Sequence, residues 1–430
     1  MSYRDEIFTH PYEKKFLEKY RTLFSIREIE QSITLQFFAG ISLFIFFVTF
    51  SRWIYSTALT VEAYASGTHM CWPYFKECGV FNVLQTLPFG YSQTTLYMLF
   101  FAMMIIAAFF MYKKEWVLTH LILLLLFIWE FLGVFVLSSG MGANYDYYQI
   151  LLTFILLFLP YKTFFLKLVL VLFYFFASTI KIDDGWILGT YFSSLQTGIP
   201  IFPDAITPIV TNLVIFMQIV GAWFLLGRNM LLQRLAFTYF VIFHLYSGIL
   251  VGYRYPATVL LTLIVLFGPF YVHTKVPLTK KALGGWILAA FMLIAQFLPI
   301  LIPGDHRLTL EGNKYGLYMF EANHQCLNDY TVVSNDGTEK PVHLESNSAR
   351  NRCDPYRTWF YLQQACQRDT SIAHITWTFD HSINGEPFYR IVDESNACIL
   401  EYKALGHNQW IKTPETGAPV IGYPVKNFYY

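Results

Sequence analysis

Long apolar runs recur along the chain and set its plan. Crossing hydrocarbon takes ~20 residues of helix, and nine segments are read as spans: Leu35 to Leu59, Thr94 to Tyr112, Leu118 to Ser138, Tyr148 to Leu159, Phe164 to Ile180, Ile206 to Leu226, Leu235 to Val251, Ala257 to Val272 and Leu283 to Ile302. The fourth is the shortest, and aromatic rather than charged residues flank it. Were it re-entrant, the side of everything after it would change. Ahead of the first span lie about thirty polar residues with Arg4, Lys14, Lys15, Lys19, Arg21 and Arg27. They are too long and too charged at both ends for a signal peptide, so the first span is expected to be retained.

After Pro303 the pattern becomes polar and turn-rich. The run SIAHITWTFDHSINGEPFYRIVDESNACILEYKAL, Ser371 to Leu405, reads as strand, Asn-Gly turn, strand, turn, strand. Just before it, Asp354 to Arg368 places apolar side chains at helical spacing, with Asp354-Pro355 as cap and first turn. The expected fold class is an α-helical polytopic membrane domain of about nine transmembrane helices followed by an extracytoplasmic β-rich domain with one helix. The expected boundaries are a cytoplasmic tail over 1–33, a membrane domain over 34–303 and an outer domain over 304–430.

The sides follow from the basic residues between spans. The N-terminal tail, Lys113/Lys114, Lys162/Lys167, Arg228/Arg234 and Lys275/Lys280/Lys281 fall together if there are nine spans, while the opposite loops hold only Lys76, Arg254 and the borderline Lys181. Positive charge marks the cytoplasmic side, which puts the N-terminus inside and 303–430 outside, in a bacterial inner membrane. All six cysteines, Cys71, Cys78, Cys326, Cys353, Cys366 and Cys398, then lie on the outer side, where disulfides are allowed. Six cysteines permit fifteen pairings, and a bond from Cys71 or Cys78 to the outer domain is as plausible as a local one.

Composition agrees with the pattern: 55% of the 430 residues are hydrophobic and 14% charged, far from a soluble chain. The net charge of +1, with no basic tract, Gly-rich phosphate loop or metal-spaced Cys/His cluster, sets nucleic-acid binding aside. Membrane lipid is the partner that the composition implies. A transporter is disfavoured by the lack of an internal repeat or a pair of Gly/Pro-broken helices.

Candidate chemistry sits where charge meets the apolar runs. In YFFASTIKIDDGWILGTYF, Tyr174 to Phe192, Lys181 ends a span and is followed by Asp183, Asp184 and Trp186. A lysine near hydrocarbon costs roughly 2.5–3.5 kcal/mol, so it must reach the interface, find a partner or shed its proton. The bland reading has it snorkelling, with Trp186 in the aromatic belt. Glu130, Gln218, His244 and Gln296 are the other polar groups inside spans. His244 lies about two turns before the outer end of its span, with Ser247, Arg254 and Tyr255 following, which allows it to share an outward cavity with Lys181. Tyr145 and Tyr147, at the outer start of span four, are expected at that level.

These segments also carry a family resemblance. YFFASTIKIDDGWILG resembles the tyrosine, alanine, lysine and tryptophan signature of the vitamin K-dependent γ-glutamyl carboxylase and its bacterial relatives, the horizontally transferred transmembrane (HTTM) domain family. FHLYSGILVGYRYP is similar to the histidine-containing helix of that family, KYGLYMF to the motif opening its extracytoplasmic domain, and DPYRTWFYLQQACQR with SINGEPFYRIVDES to its helix and Asn-Gly hairpin. The resemblance implies Lys181 as the base acting on a reduced naphthoquinone of vitamin K or menaquinol type, and His244 on a polar active-site helix. Tyr145, Tyr147, Asp183, Asp184, Trp186 and Arg254 are expected around the substrate, a glutamate-containing peptide or protein. Desolvation lowers a lysine pKa, the physical reason to place such a base at a helix end. Where the carboxylase has two adjacent lysines, this chain has Ile180-Lys181; where the family has asparagine-histidine before a tyrosine, Asn144-Tyr145-Asp146-Tyr147 stands, leaving His244 or Tyr145 to substitute. Two further classes fit the residues: a quinone- or lipid-modifying membrane enzyme on the same scaffold, and a non-catalytic scaffold or maturation partner.

Overall fold

The structure is a computed structural model and describes residues 11–66, 69–75, 78, 91–139, 144–193, 198–251, 254–318, 320, 322–346, 353–413 and 419–420. Helices dominate. α1 (Pro11–Leu23) and α2 (Ile26–Gln31) precede α3 (Ile33–Ala65), α4 (Tyr91–Tyr112) and α5 (Trp116–Leu132), which a π-helical turn extends over Gly133–Leu137. Then come α6 (Asn144–Phe158), α7 (Lys162–Thr179), the short α8 (Asp184–Ile187) and α9 (Thr190–Ser193). α10 (Thr207–Phe216) passes through a second π-turn, Met217–Gly221, into α11 (Ala222–Phe224). α12 (Met230–Val251), α13 (Arg254–Phe267) and α14 (Leu283–Phe297) complete the series.

Each of the nine apolar segments is helical, and among the described residues six stretches are long and apolar enough to cross a membrane: Ile33–Ala65, Ser92–Tyr112, Trp116–Leu137, Lys162–Thr179, Asp204–Phe224 and Lys280–Leu301. The chain is therefore a multi-pass integral membrane protein. The fifteen residues of α6 and fourteen of α13 rise only ~22 Å at 1.5 Å each, short of the ~30 Å hydrocarbon layer. α12 has twenty-two residues but dilutes its apolar run with Gln233, Arg234 and His244.

The described chain forms two compact units, the first from 1–64, 78–174 and 220–290 and the second from 65–77, 175–219 and 291–430. In the first, several buried polar side chains pair across helices. Thr49 donates to Gln149 Oε1 at 2.7 Å, and Thr57 meets the Tyr97 hydroxyl at 2.8 Å. The expected N-terminal tail is partly ordered helix, because Ile26 and Ile29 are buried amid its charges. The His120 ring bridges the Leu157 carbonyl (3.0 Å from Nε2) and the Tyr20 hydroxyl (2.8 Å from Nδ1). A carbonyl only accepts, so Nε2 carries the proton and Nδ1 takes the tyrosine O–H. The Glu28 carboxylate accepts from the backbone N–H groups of Tyr161 and Lys162, both at 2.8 Å, where α7 begins and its free N–H groups favour an anion. Thr34 donates to the Phe270 carbonyl and Lys167 to that of Val272, while Tyr161 meets Thr279. The segments expected on the cytoplasmic side thus touch one another.

The second unit holds the sheet. β1 (His324–Ser334), β2 (Glu339–Ser346), β3 (Ile372–Ile383), β4 (Phe388–Glu394) and the two-residue β5 (Pro419–Val420) run antiparallel in the order β2-β1-β3-β4-β5. The predicted Asn-Gly turn joins β3 to β4, with φ of 52° at Asn384 and 76° at Gly385, the left-handed pair that tight hairpins require. The third expected strand is instead a 3-10 turn, Ala397–Ile399, in which Asn396 takes the Cys398 N–H and so diverts the backbone from a ladder. α16 (Pro355–Arg368), preceded by α15 (His306–Thr309), begins as expected: Asp354 accepts from the Tyr356 N–H at 3.0 Å and Pro355 occupies the first turn. It covers a core of Ile375, Trp377, Phe379, Ile391 and Trp410. Disulfides Cys326–Cys353 and Cys366–Cys398 close this domain, and Cys71 and Cys78 are also oxidised. Segment 65–77 belongs here too: Tyr356 donates to the Cys71 carbonyl at 2.6 Å and Arg368 to that of Ser66 at 3.0 Å.

Candidate functional site

The turn after α7 brings most of the predicted site residues of the second unit together. Lys181 is 3% exposed. Its Nζ donates to Gln218 Oε1 at 3.2 Å and lies 4.8 Å from the centroid of the Trp186 ring. Gln218 sits in the π-turn Met217–Gly221, and such turns shift side chains out of helical phase, often at functional sites. Trp186 is held in turn, its indole N–H donating to the Phe320 carbonyl at 2.6 Å and its ring stacking on Tyr191.

Asp183 turns to other partners. One of its oxygens accepts the Gly185 N–H at 2.7 Å, capping α8, and pairs with Arg307 at 2.9 Å. Arg307 also grips Asp305 through Nε and a terminal nitrogen, at 3.0 and 2.8 Å. Burial raises the Asp183 pKa above the ordinary carboxylate value, and Arg307 with the α8 N–H groups offsets only part of that rise. Burial also pushes Asp305 upward, but the Arg307 hydrogen bonds and charge outweigh it and leave that carboxyl below its usual value. Burial raises Glu386, on the hairpin, against a smaller opposing pull from Arg307. Asp184 is exposed in the first turn of α8.

The hairpin meets this turn directly. A Cβ placed on Gly185 would lie 2.3 Å from Asn384 Nδ2, so only glycine permits the approach. Asn384 is fixed from its other side, taking the Asn323 N–H on Oδ1 at 2.9 Å and donating its own N–H to the Asn323 carbonyl. The lysine turn and the Asn-Gly hairpin are thus one structure.

Beside the turn lies a cavity of about 240 Å³. Its walls are Thr179, Ile180 and Ile182 from the end of α7, Gln296, Phe297 and Ile300 from the end of α14, and Tyr318; Asp183, Asp305, His306 and Arg307 form its polar end. Of the predicted residues in this unit, Asp183 is on the wall and Lys181, Asp184 and Trp186 are not. Gln296 is spent on structure, accepting the Leu317 N–H at 2.7 Å and donating to the Phe176 carbonyl. Asp305, Arg307 and Asn384 escaped the sequence reading as site residues; the signal available was the acidic-basic spacing Asp305-His306-Arg307 straight after the last apolar run.

His244 and the two tyrosines belong to the first unit. His244 is fully buried, with Nε2 2.7 Å from the Tyr174 hydroxyl, and Tyr174 stacks on Phe240 at 4.1 Å. Tyr145 and Tyr147 are half-buried in the first turn of α6, the latter 5.7 Å from the Phe135 ring. Arg254 opens α13, but its side chain lies outside the described residues. Compared with known proteins, the chain matches no family model, no curated protein and no solved structure.

Proposed function

We propose that the chain is an integral membrane enzyme with carboxylase-like chemistry, resembling vitamin K-dependent γ-glutamyl carboxylase, with Lys181 as its base. The supporting observation is the setting of Lys181: a buried amine at a helix end that donates to the Gln218 amide and lies over the Trp186 ring, while Asp183 pairs with Arg307. The groups around it suit a reduced naphthoquinone in kind, since an indole face, an amide and an amine offer stacking and hydrogen bonds to a flat ring bearing two oxygens. Trp186 and Gln218 would hold such a ring and Lys181 would take its proton; the quinone, when bound, would supply the oxygen-dependent reactivity that drives carboxylation. For this Lys181 must release Gln218.

Membranes holding the chain, supplied with reduced naphthoquinone, oxygen, labelled bicarbonate and a glutamate peptide, should fix label into the peptide. Removing a general base typically costs ~10²- to 10⁴-fold in rate, so Lys181→Ala should lose label fixation while keeping its helical circular dichroism. Undiminished fixation in Lys181→Ala refutes the role, and loss of folded protein returns the lysine to a packing group.

We further propose nine crossings, with the N-terminus cytoplasmic and 304–430 outside. Supporting this, segments 65–77 and 181–186, expected outside, bond to 304–430 within one unit, while α2 and the segments near 161 and 272, expected inside, bond to one another within the other. Protease added to intact spheroplasts should digest 304–430; cleavage only after lysis overturns the assignment.

A further inference from the structure

The charged end of the cavity beside the lysine turn is not used by the proposed chemistry, and its composition is specific. Arg307 faces it between Asp183 and Asp305, one cation against two anions, with His306 adjacent. Ile180, Phe297 and Ile300 give the cavity an apolar wall. That wall continues outward: Ile182 and Ile300 are each 59% exposed and Leu301 79%, at the ends of two helices, α7 and α14, that are apolar enough to lie in lipid. A cavity of about 240 Å³ is smaller than the ~300–1,000 Å³ that encloses a whole drug-sized ligand. An occupant with long chains must therefore leave them outside, along those exposed apolar residues.

The charges choose the head group. A neutral head would cover these ion pairs while leaving the excess of one carboxylate over the single guanidinium without a counter-charge. A purely anionic head would gain Arg307 but meet two carboxylates. A head with one anionic and one cationic group satisfies both sets, its phosphate on Arg307 and its cation on Asp183 or Asp305. A primary ammonium can donate hydrogen bonds to those carboxylates, whereas a trimethylammonium has no N–H to give. We propose that this cavity binds the phosphoethanolamine head of a membrane phospholipid, with its acyl chains lying against Ile182, Ile300 and Leu301. Lys181 does not line this site, which does not depend on the carboxylase-like reading.

Native mass spectrometry of the full chain in mild detergent tests it, with phosphatidylethanolamine, phosphatidylcholine and phosphatidylglycerol added in equal amounts. A charge-assisted hydrogen bond corresponds to roughly tenfold or more in affinity, so phosphatidylethanolamine adducts should exceed phosphatidylcholine adducts by about that factor. Arg307→Gln and Ile300→Trp, which crowds the apolar wall, should each abolish the preference. If Arg307→Gln fails to fold, Ile300→Trp decides, since that side chain is largely exposed and its replacement leaves the ion pairs in place. Free phosphoethanolamine should compete only at far higher concentration than the lipid. Competition at equal concentration would identify a soluble head-group ligand and overturn the lipid assignment. Equal retention of the three lipids, or a preference that survives Ile300→Trp, would overturn the site.

Discussion

Replacing Arg307 by glutamine isolates the electrostatics on which the turn is built. The guanidinium sits between Asp183 and Asp305 with side-chain exposures of 22%, 9% and 26% respectively. Leaving a fully buried charge unpaired costs 3–5 kcal/mol, and exposed pairs contribute under about 1. These groups lie between those limits, which places the loss near ~2 kcal/mol at pH 7. For a cooperative unit of some 200 residues that is a fall in Tm of ~4–8 °C.

The pH dependence gives the sharper test. Asp305 has its folded pKa below the unfolded value of ~3.9, so its contribution is present above that value and lost as pH falls through the folded pKa. Asp183 has a raised folded pKa, so its contribution is present below ~3.9 and lost as pH rises through the folded value. Without Arg307 the first contribution disappears and the second carboxyl, no longer neutralised, becomes costlier when ionised. Glu386 also loses the cation that lowers it. The variant's deficit should therefore be greatest near pH 7 and shrink toward pH 4, where the carboxyls take up protons. Scanning fluorimetry of both proteins in detergent across that range measures it. A deficit that is flat with pH, or that grows in acid, refutes the electrostatic account and leaves only packing of the arginine stem.

Gly185→Ala would set a methyl 2.3 Å from Asn384 Nδ2 and 2.8 Å from Asp183 Oδ1. Overpacking of this kind costs ~1–3 kcal/mol, so Tm should fall; an unchanged Tm would show that the hairpin yields freely. Reducing the disulfides, which close stretches of 27 and 32 residues in the sheet domain, should remove ~3 kcal/mol or more for each. Limited proteolysis with and without reductant should show 304–430 cut faster while the spans stay intact, and equal cleavage rates would contradict this.

How much of this was legible in the sequence depended on whether the signal was local. The apolar runs are helical among the described residues, six of them long and apolar enough to cross a membrane, and Asp354-Pro355 and Asn384-Gly385 fixed a helix start and a hairpin, because each acts on its immediate backbone. β1 and β2 were missed: only half of β1 is alternately or fully buried, so its pattern is weak, and Asp336-Gly337 was the turn signal to follow. The third strand failed because Asn396 captures its own backbone. Long-range pairing was the larger loss. Nothing near Lys181 in sequence announces Gln218, which a π-turn presents, and nothing near Asp183 announces Arg307, 124 positions later.

The carboxylates after Lys181 show the same contrast. Proximity along the chain suggests Asp183 and Asp184 as counter-ions to the lysine, yet Asp183 caps α8 and reaches Arg307, and Asp184 faces out. The caps and ion pairs of the second unit fix the direction of Asp183. Among the partners of the buried amine are the Gln218 amide, from the π-turn after α10, and the Trp186 indole, from α8. A charge-neutral Gln218→Leu should therefore disturb Lys181 more than Asp184→Asn does, because only the first removes a described partner of the amine.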